Sequence, residues 1–540
     1  MPEQVDVVIV GAGFSGLYAA YRMRELGLSV AGFERGEDVG GVWYWNRYPG
    51  ARCDVESVDY SYSFDKDLEQ EWDWSEKYAT QPEILRYVEH VAERHDLRRH
   101  FTFGTSVVSA ELDEERLRWT VRTDDGRGGH GGRTVEARYV LFGVGCLSST
   151  HLPEIEGIAD FAGASYHTGE WPHEGVDFTG LRVGVIGTGS SGIQSIPEIA
   201  HQAAELTVFQ RSANYSIPAG NKPLSDADRA AQKADYAERR RLARLSGGGS
   251  PHMAHPLKTF EAAPAERRAA FEERWELGGV LYSKTFPDQL TDRAANDEAR
   301  RFWEEKVRAE ITDPAVAEQL IPADHPIGSK RIVTDDGYFA TYNRDNVRLV
   351  NLRATPIERV EAGGIRLADG GGLVELDVIV YATGFDAMTG SLDRISVTGR
   401  GGRTLKEAWA AGPRTYLGLG VDGFPNLFNL AGPGSPSVLA NMILCGEQHT
   451  DWIAALLTRL REGGYAGVEA RAEAVDGWVA ECRERADGTL MTAANSWYLG
   501  ANIPGKPRVF MPFVGGFGVY GDIIEKVAAD GYQGFELLTG

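Results

Sequence analysis

Val5-Asp6-Val7-Val8-Ile9-Val10-Gly11-Ala12-Gly13-Phe14-Ser15-Gly16 is a β-branched run that passes straight into a glycine-rich turn. The run reads as a buried parallel strand. Leu17 to Leu26 follow as a helix, with Gly27 as its stop. In this pattern Gly11 makes the tight turn. Gly13 lets backbone approach a pyrophosphate, and Gly16 lets helix and strand pack closely. The helix N-terminus offers N–H groups and a positive dipole to phosphate. A second strand, Ser29 to Phe33, ends in Glu34, an acid placed to accept hydrogen bonds from a ribose diol. A dinucleotide site is expected here, made by Gly11, Gly13, Phe14, Ser15, Gly16 and Glu34.

The unit occurs twice. Leu181 to Ile186 is again strand-like, Gly187-Thr188-Gly189-Ser190-Ser191-Gly192 repeats the turn, and Ile193 to Ala204 reads as helix. The next strand, Leu206 to Phe209, ends in Gln210-Arg211-Ser212 rather than in an acid. An acid would repel a 2′-phosphate, whereas Arg211 offers a charge-assisted contact and Ser212 a hydroxyl. The second site is therefore expected to take NADPH. The first is N-terminal and followed by Gly40-Gly41, and most resembles the FAD site of flavoproteins that bind two dinucleotides.

Bulk properties bound the rest. A chain of 540 residues exceeds one core and suits two or three domains. Its net charge of −22 disfavours nucleic acid and anionic membrane surfaces as partners. No apolar stretch approaches the ~20 residues of a membrane span, and no signal peptide precedes the first strand. Cys53, Cys146, Cys445 and Cys482 are far apart, which suits unpaired thiols in a reducing cytoplasm and argues against a disulfide reductase. No metal site and no protein partner are expected.

Between the two turns lies Phe161-Ala162-Gly163-Ala164-Ser165-Tyr166-His167-Thr168-Gly169-Glu170-Trp171-Pro172. It resembles the fingerprint Phe-x-Gly-x-x-x-His-x-x-x-Trp-Pro of the Baeyer–Villiger monooxygenases, which use FAD, NADPH and O2 to insert oxygen beside a ketone carbonyl. Further segments carry the same resemblance along essentially the whole chain. Gly40-Gly41-Val42-Trp43 with Tyr48-Pro49-Gly50 and Asp54 is similar to a second signature. Tyr381-Ala382-Thr383-Gly384 resembles the link between the nucleotide domains, and Phe424 to Phe428 with Ala431 to Gly434 the closing FAD motif. Ser212 to Pro218 and Ser496 to Gly505 are most similar to the members that act on steroid ketones, with those that act on phenylacetone-type ketones next along the chain as a whole.

The resemblance implies residue roles. A reduced-flavin peroxide must stay anionic and shielded from water to attack a ketone, and a fixed cation lowers the energy of the anions involved. Arg serves better than Lys because it does not deprotonate. The match puts that cation at Arg331, held by Asp54, with Lys330 as a second 2′-phosphate ligand. Gly41, Val42, Trp43, Asp54, Tyr60, Val107 and Met442 are implied as further cofactor contacts, and Trp497 as a contact to NADP from a mobile loop. Ser437 to Ala440 with Met442 corresponds to the bulge at the ketone site. Val55, Cys146, Leu147, Leu439, Trp497 and Met511 map to the substrate pocket. The small Cys146 suggests room for bulky, aryl-alkyl or steroid ketones. His167 is read as a structural histidine of the hinge, and Trp171 as packing.

The expected fold is α/β: two Rossmann-like dinucleotide-binding domains, for FAD and NADP, with a helical insertion in the second. FAD-domain segments are placed at 1–146 and 384–540, with the NADP domain at 147–383 and the insertion at about 223–321. Asp226 to Leu245 and Pro264 to Leu277 read as helices separated by a Gly-rich break, with their charge runs taken as solvated faces. Asp124 to Arg133 reads as a hairpin loop. A flavin monooxygenase of nitrogen or sulfur, a peroxide-leaking NADPH oxidase and a non-catalytic nucleotide sensor are the competing functions. Trp171-Pro172, Asp54 and Arg331 together disfavour the first, and Arg331 with its acid partner disfavours the last.

Overall fold

The computed structural model describes residues 2–126 and 132–539. Its first sheet is built on the opening strand β1 (Glu3–Val10), with β2 (Val30–Phe33), β3 (Phe101–Thr102), β4 (Ser106–Asp113), β5 (Arg118–Asp124) and β6 (Thr134–Phe142). The order β4-β5-β6-β1-β2-β3 makes β1 central. It pairs in parallel with β2 (Val10 beside Phe33) and β6 (Val10 beside Phe142). Val7, Val8 and Ile9 are fully buried, so the unbroken apolar run reflects burial on both faces.

The second sheet runs through β7 (Ala164–His167), β8 (Arg182–Ile186) and β9 (Glu205–Gln210). Two short parallel strands, β10 (Ser216–Pro218) and β11 (Val333–Asp335), pair beside it. It is completed by β12 (Val347–Asn351). After an antiparallel triplet, β13 (Ile357–Glu361), β14 (Gly364–Leu367) and β15 (Gly372–Glu375), it is joined by β16 (Val378–Tyr381), giving the order β12-β9-β8-β16-β7. The chain then re-enters the first sheet. There β17 (Ser396–Thr398) pairs with β4 and β18 (Leu427–Asn429) with β6, and the Trp119 indole donates to Pro425 O at 2.9 Å. Each sheet is thus a Rossmann-like unit with its own core, one about Val7, Leu17 and Leu141 and the other about Val185, Ile193 and Trp303.

The predicted helices form, with shifted starts. The first spans Phe14–Glu25 and the second Ser190–Gln202. Both begin directly after the middle glycine, because the Gly13 and Gly189 carbonyls already accept from Leu17 and Ile193 N–H at 3.0 and 2.9 Å. Asp226–Leu245 and Pro264–Leu277 are helices over the expected residues, and Ser225 caps the former with Asp228 closing the box. Hairpin strands β5 and β6 are present, but residues 127–131 of the expected loop lie outside the described residues.

One expectation is corrected. The charges of Asp226–Leu245 do not all form a solvated face. Arg240 is buried, donating to Glu69, Ser61 and the carbonyls of Asp59 and Tyr62. Its neighbour Arg239 forks onto Asp59 and reaches Glu56. A buried guanidinium is tolerated here because nearly every N–H finds an acceptor. The partners lie 171 to 183 positions away in sequence, beyond the reach of helical periodicity.

Candidate active site

Two glycines of the first turn meet clear steric demands. A Cβ on Gly11, whose φ is +101°, would lie 2.6 Å from Gly143 O, and one on Gly16 would collide with Gly11 O. Gly13 keeps open space on the phosphate side, its nearest neighbour for a Cβ being Gly41 Cα at 3.4 Å. Glu34 is buried and accepts from Ala12 N at 2.8 Å and Gly36 N at 2.7 Å. Each carboxylate oxygen therefore retains capacity for a ribose hydroxyl. Phe14 packs its ring on Tyr60, and the Trp43 indole donates to Tyr60 OH at 3.1 Å. Ser15 sits so close to Gly446 that a Cβ there would meet its Oγ at 2.6 Å. Val42 opens a short helix and Val107 is buried on β4, while Met442, half-buried, begins the long helix Met442–Glu462. This cradle fits a dinucleotide with an unmodified ribose.

The second turn repeats the design. Gly187 is at φ +110° against Ala382 O, and nothing lies within 4 Å of a Cβ on Gly189. Thr188 Oγ1 donates to Ser212 O at 2.9 Å, and Ser191 and Thr168 hydroxyls meet at 3.0 Å. Ser190 is exposed at the helix start. Beyond β9, Gln210 turns inward to Gln319 O at 2.7 Å, leaving Arg211 exposed. Burial and then the charges of Arg211 and Arg353 depress Lys330, against the pull of Asp324. Arg353 was not anticipated from sequence. It donates to Ser212 Oγ at 2.9 Å and pairs with Asp324. Only the pairing of β12 with β9 brings it there, so no local motif announces it. Three crowded cations fit a 2′-phosphate, which would relieve their mutual repulsion.

Arg331 and Asp54, 277 positions apart, meet as a two-pronged ion pair. Nε donates to Oδ2 at 2.8 Å and Nη2 to Oδ1 at 2.7 Å, while Nη1 donates to Val438 O at 2.5 Å. Burial opposes the charge, but Asp54 more than offsets it and holds the guanidinium protonated. Asp54 and Val438 O take three of its five N–H groups, and Tyr498 accepts from the guanidinium as well. Tyr498 lies beside the pair, its phenol raised by burial and partly relieved by Arg331.

This pair lines a cleft of about 1150 Å3, counting the part open to solvent. Val55 and Leu439 share its wall. Cys146, Leu147 and Met511 do not reach it. They sit in the apolar cluster behind, with Tyr498 and Met491, which do line the cleft. Any effect of Cys146 on pocket size is therefore relayed through that layer. Half-buried Trp497 packs on Tyr498 at 4.4 Å between centroids. The turn Val280–Lys284 and Tyr78 also line the cleft and were missed. The Gly278-Gly279 break that introduces the turn is its one sequence signal.

His167 Nδ1 accepts from Gly169 N at 3.0 Å, and burial lowers its pKa. The neutral ring then carries its proton on Nε2, 3.4 Å from Thr383 Oγ1, which itself donates to His151 O at 2.8 Å. His167 also pairs across strands with Tyr381. The fingerprint and the Ala382-Thr383-Gly384 link are thus stitched side by side where the chain passes between sheets. Trp171 is buried between Tyr166 and Phe178. All four cysteines are free and buried, and no helix among the described residues is long and apolar enough to cross a membrane.

Residues 4–219 match the flavin-binding monooxygenase-like family. A Baeyer–Villiger monooxygenase of Pseudooceanicola batsensis is 45% identical over 532 residues, covering 98% of this chain and 95% of the relative. Among solved structures, an oxidised steroid monooxygenase bound to NADP superimposes with a TM-score of 0.95 at 65% identity, covering 99% of this chain and 100% of the other. A closed cyclohexanone monooxygenase superimposes with a TM-score of 0.96 at 41% identity, with both chains covered completely.

Proposed function

As this chain belongs to the Baeyer–Villiger monooxygenases of the flavin-binding monooxygenase-like family, it converts ketones to esters or lactones with FAD and NADPH, and we propose that its preferred ketones are bulky and that Arg331, held by Asp54, is its principal catalytic residue. The observation that carries the residue assignment is the Arg331–Asp54 fork opening on the cleft.

FAD, once reduced by NADPH, supplies the oxygen activation. Gly11, Gly13, Phe14, Ser15, Gly16 and Glu34 would hold its adenosine diphosphate part, with Gly41, Val42, Trp43, Tyr60, Val107 and Met442 completing the site. Gly187 to Gly192 would hold the NADPH pyrophosphate. Arg211, Ser212 and Lys330 would hold the 2′-phosphate, to which we add Arg353. In this reading residues 1–146 and 384–540 form the FAD unit and 147–383 the NADP unit.

The protein's own contribution is electrostatic and steric. Asp54 and Val438 O fix the guanidinium in one plane, so it holds a permanent positive charge beside oxygen where negative charge grows during insertion. Being set in advance, this charge needs no reorganisation during the reaction. The Arg331 proton is not available for transfer, which protects anionic oxygen from being quenched. The aliphatic wall of Val55, Leu281, Leu439 and Met491 gives an apolar ketone about 25 cal/mol for each Å2 it buries. Trp497 would close on NADP from the neighbouring turn.

Support for a bulky substrate comes from the largely apolar wall of Val55, Leu281, Leu439 and Met491 and from 65% identity to a steroid monooxygenase. Competition between progesterone, phenylacetone and cyclohexanone, judged by kcat/KM with product identification, tests it. A clear preference for cyclohexanone over both larger ketones would reject the size reading and leave the reaction class intact. The acidic chain with four free thiols is assigned to the cytoplasm, with a small-molecule ketone and O2 as its reaction partners.

A further inference from the structure

The cleft faced by Arg331 carries a second cation that the reaction above does not use. Lys284 ends the turn Val280–Lys284 and lines the cleft wall. Its position is held from three sides. The preceding Tyr282 is fully buried, with its hydroxyl on Ala299 O at 2.8 Å. Ser283 packs on Gly328, where a Cβ would come within 2.8 Å of the serine Cβ, locking the turn to the loop that bears Arg331. The ammonium itself lies against the Gly-rich break, 3.6 Å from where a Cβ on Gly248 would stand.

Unlike the Arg331 guanidinium, the Lys284 ammonium has no hydrogen bond or ion pair with any described residue. The two acids on the same wall are committed elsewhere. Asp54 serves Arg331, while Glu56 serves Arg239 at 3.0 Å, His252 at 3.3 Å and Lys77 at 3.8 Å. Burial first, and then Arg331, push the Lys284 ammonium down from its ordinary pKa, and no carboxylate opposes them. Water hydrates such a group while the cleft stands open. A hydrocarbon ketone filling the cleft would strip that water and leave the cation without an acceptor, which is costly. A ketone carrying its own oxygen at that point would not incur this loss. Sites with a polar group to satisfy reject an analogue lacking the partner far more strongly than sites that sense a missing methylene.

We propose that Lys284 is a specificity-determining residue that binds an oxygen acceptor, a carbonyl or carboxylate, carried by the ketone substrate away from its reacting carbonyl. This rests on the cleft being the ketone site. It narrows the substrate class from bulky ketones to bulky ketones with a second oxygen function.

The test compares matched pairs on the FAD-loaded enzyme: progesterone against a pregnan-20-one lacking the ring-A oxygen, and 4-acetylbenzoate against acetophenone. Wild type, Lys284→Met and Lys284→Arg are assayed for kcat/KM, and where turnover is slow the same pairs are titrated calorimetrically. Wild type should favour the oxygenated member of at least one pair by about tenfold or more. That ratio should fall towards one in Lys284→Met and survive in Lys284→Arg. Equal treatment of both members of both pairs by wild type overturns the proposal, as does an unchanged ratio in Lys284→Met. NADP+ affinity is measured alongside. Its loss in Lys284→Met with no change in either ratio would put the lysine at the cofactor and also overturn the proposal. Should Lys284→Met not fold, the wild-type ratios and Lys284→Arg decide. Failure of the bulky-ketone reading shows separately, as a preference for cyclohexanone over every member of both pairs.

Discussion

Replacing Arg331 with Ala removes a group whose geometry allows the effect to be sized. Three of its N–H groups hold it in place on Asp54 and Val438 O, and Tyr498 accepts from it too, which leaves at least one donor for oxygen. Losing one fixed donor to a developing oxyanion costs about 10²–10³ in rate, or about 2.7–4 kcal/mol. With one donor and a full positive charge lost, ester formation should fall by at least about a hundredfold to a thousandfold. Flavin content should fall little, because, of the residues assigned to the cofactors, only Asp54 hydrogen-bonds the Arg331 guanidinium. The assay measures NADPH consumption, ester and hydrogen peroxide together under saturating ketone. The expected result is continued NADPH oxidation whose oxygen ends as peroxide. Ester formed at the wild-type ratio to NADPH consumed would refute the assignment, whatever the absolute rate.

Other outcomes follow from the same contacts. Asp54→Asn keeps the shape but turns an amide N–H towards the guanidinium, so the ratio of ester to NADPH should drop about tenfold, less than for Arg331→Ala. Arg211→Ala, at an exposed position, should weaken NADP+ binding about tenfold and leave NAD+ binding unchanged, as calorimetry would read. Arg240→Ala strands buried Glu69 and should lower stability by about 3–5 kcal/mol, visible as a large drop in denaturation midpoint with FAD still bound before unfolding. Burial tends to raise the Glu56 pKa, but His252, Arg239 and Lys77 overcome this and bring it to about 2, from 4.5. A depressed carboxylate contributes stability above its unfolded pKa and loses it as pH falls through the folded one. Wild type should therefore lose stability between about pH 4.5 and 2 more steeply than Glu56→Gln in denaturant titrations.

Legibility from sequence followed the range of the interactions. The nucleotide turns were readable because strand, glycines, helix and terminal acid lie within one local unit, and Gly11 and Gly16 meet steric demands their spacing announces. The helices Asp226–Leu245 and Pro264–Leu277 carried local start signals, the Ser225 cap and Pro264 in the first turn, and were readable for the same reason. Arg331 and Asp54 are separated by 277 positions, and nothing local pairs them. Only resemblance along the whole chain suggested it. Arg353 at the phosphate and Lys284 on the cleft wall belong to no motif and became visible only when β12 reached β9 and a 3₁₀ turn met the Gly328 loop. The inward-facing Arg239 and Arg240 were misread because a charge run looks the same whether its partners are water or distant carboxylates. Leu439 and Cys146 were both expected at the pocket, and side-chain layering, which sequence does not encode locally, put one on the wall and the other behind it.

The central claim is that this chain inserts one atom of O2 beside a ketone carbonyl. The most direct measurement is a reaction of purified, FAD-loaded protein with NADPH, a bulky ketone and 18O2, followed by mass spectrometry of the product. The account requires an ester or lactone carrying one 18O atom, formed in proportion to NADPH oxidised. NADPH oxidation that is the same with and without ketone, with peroxide accumulating and no labelled ester from any ketone of the panel, would contradict it.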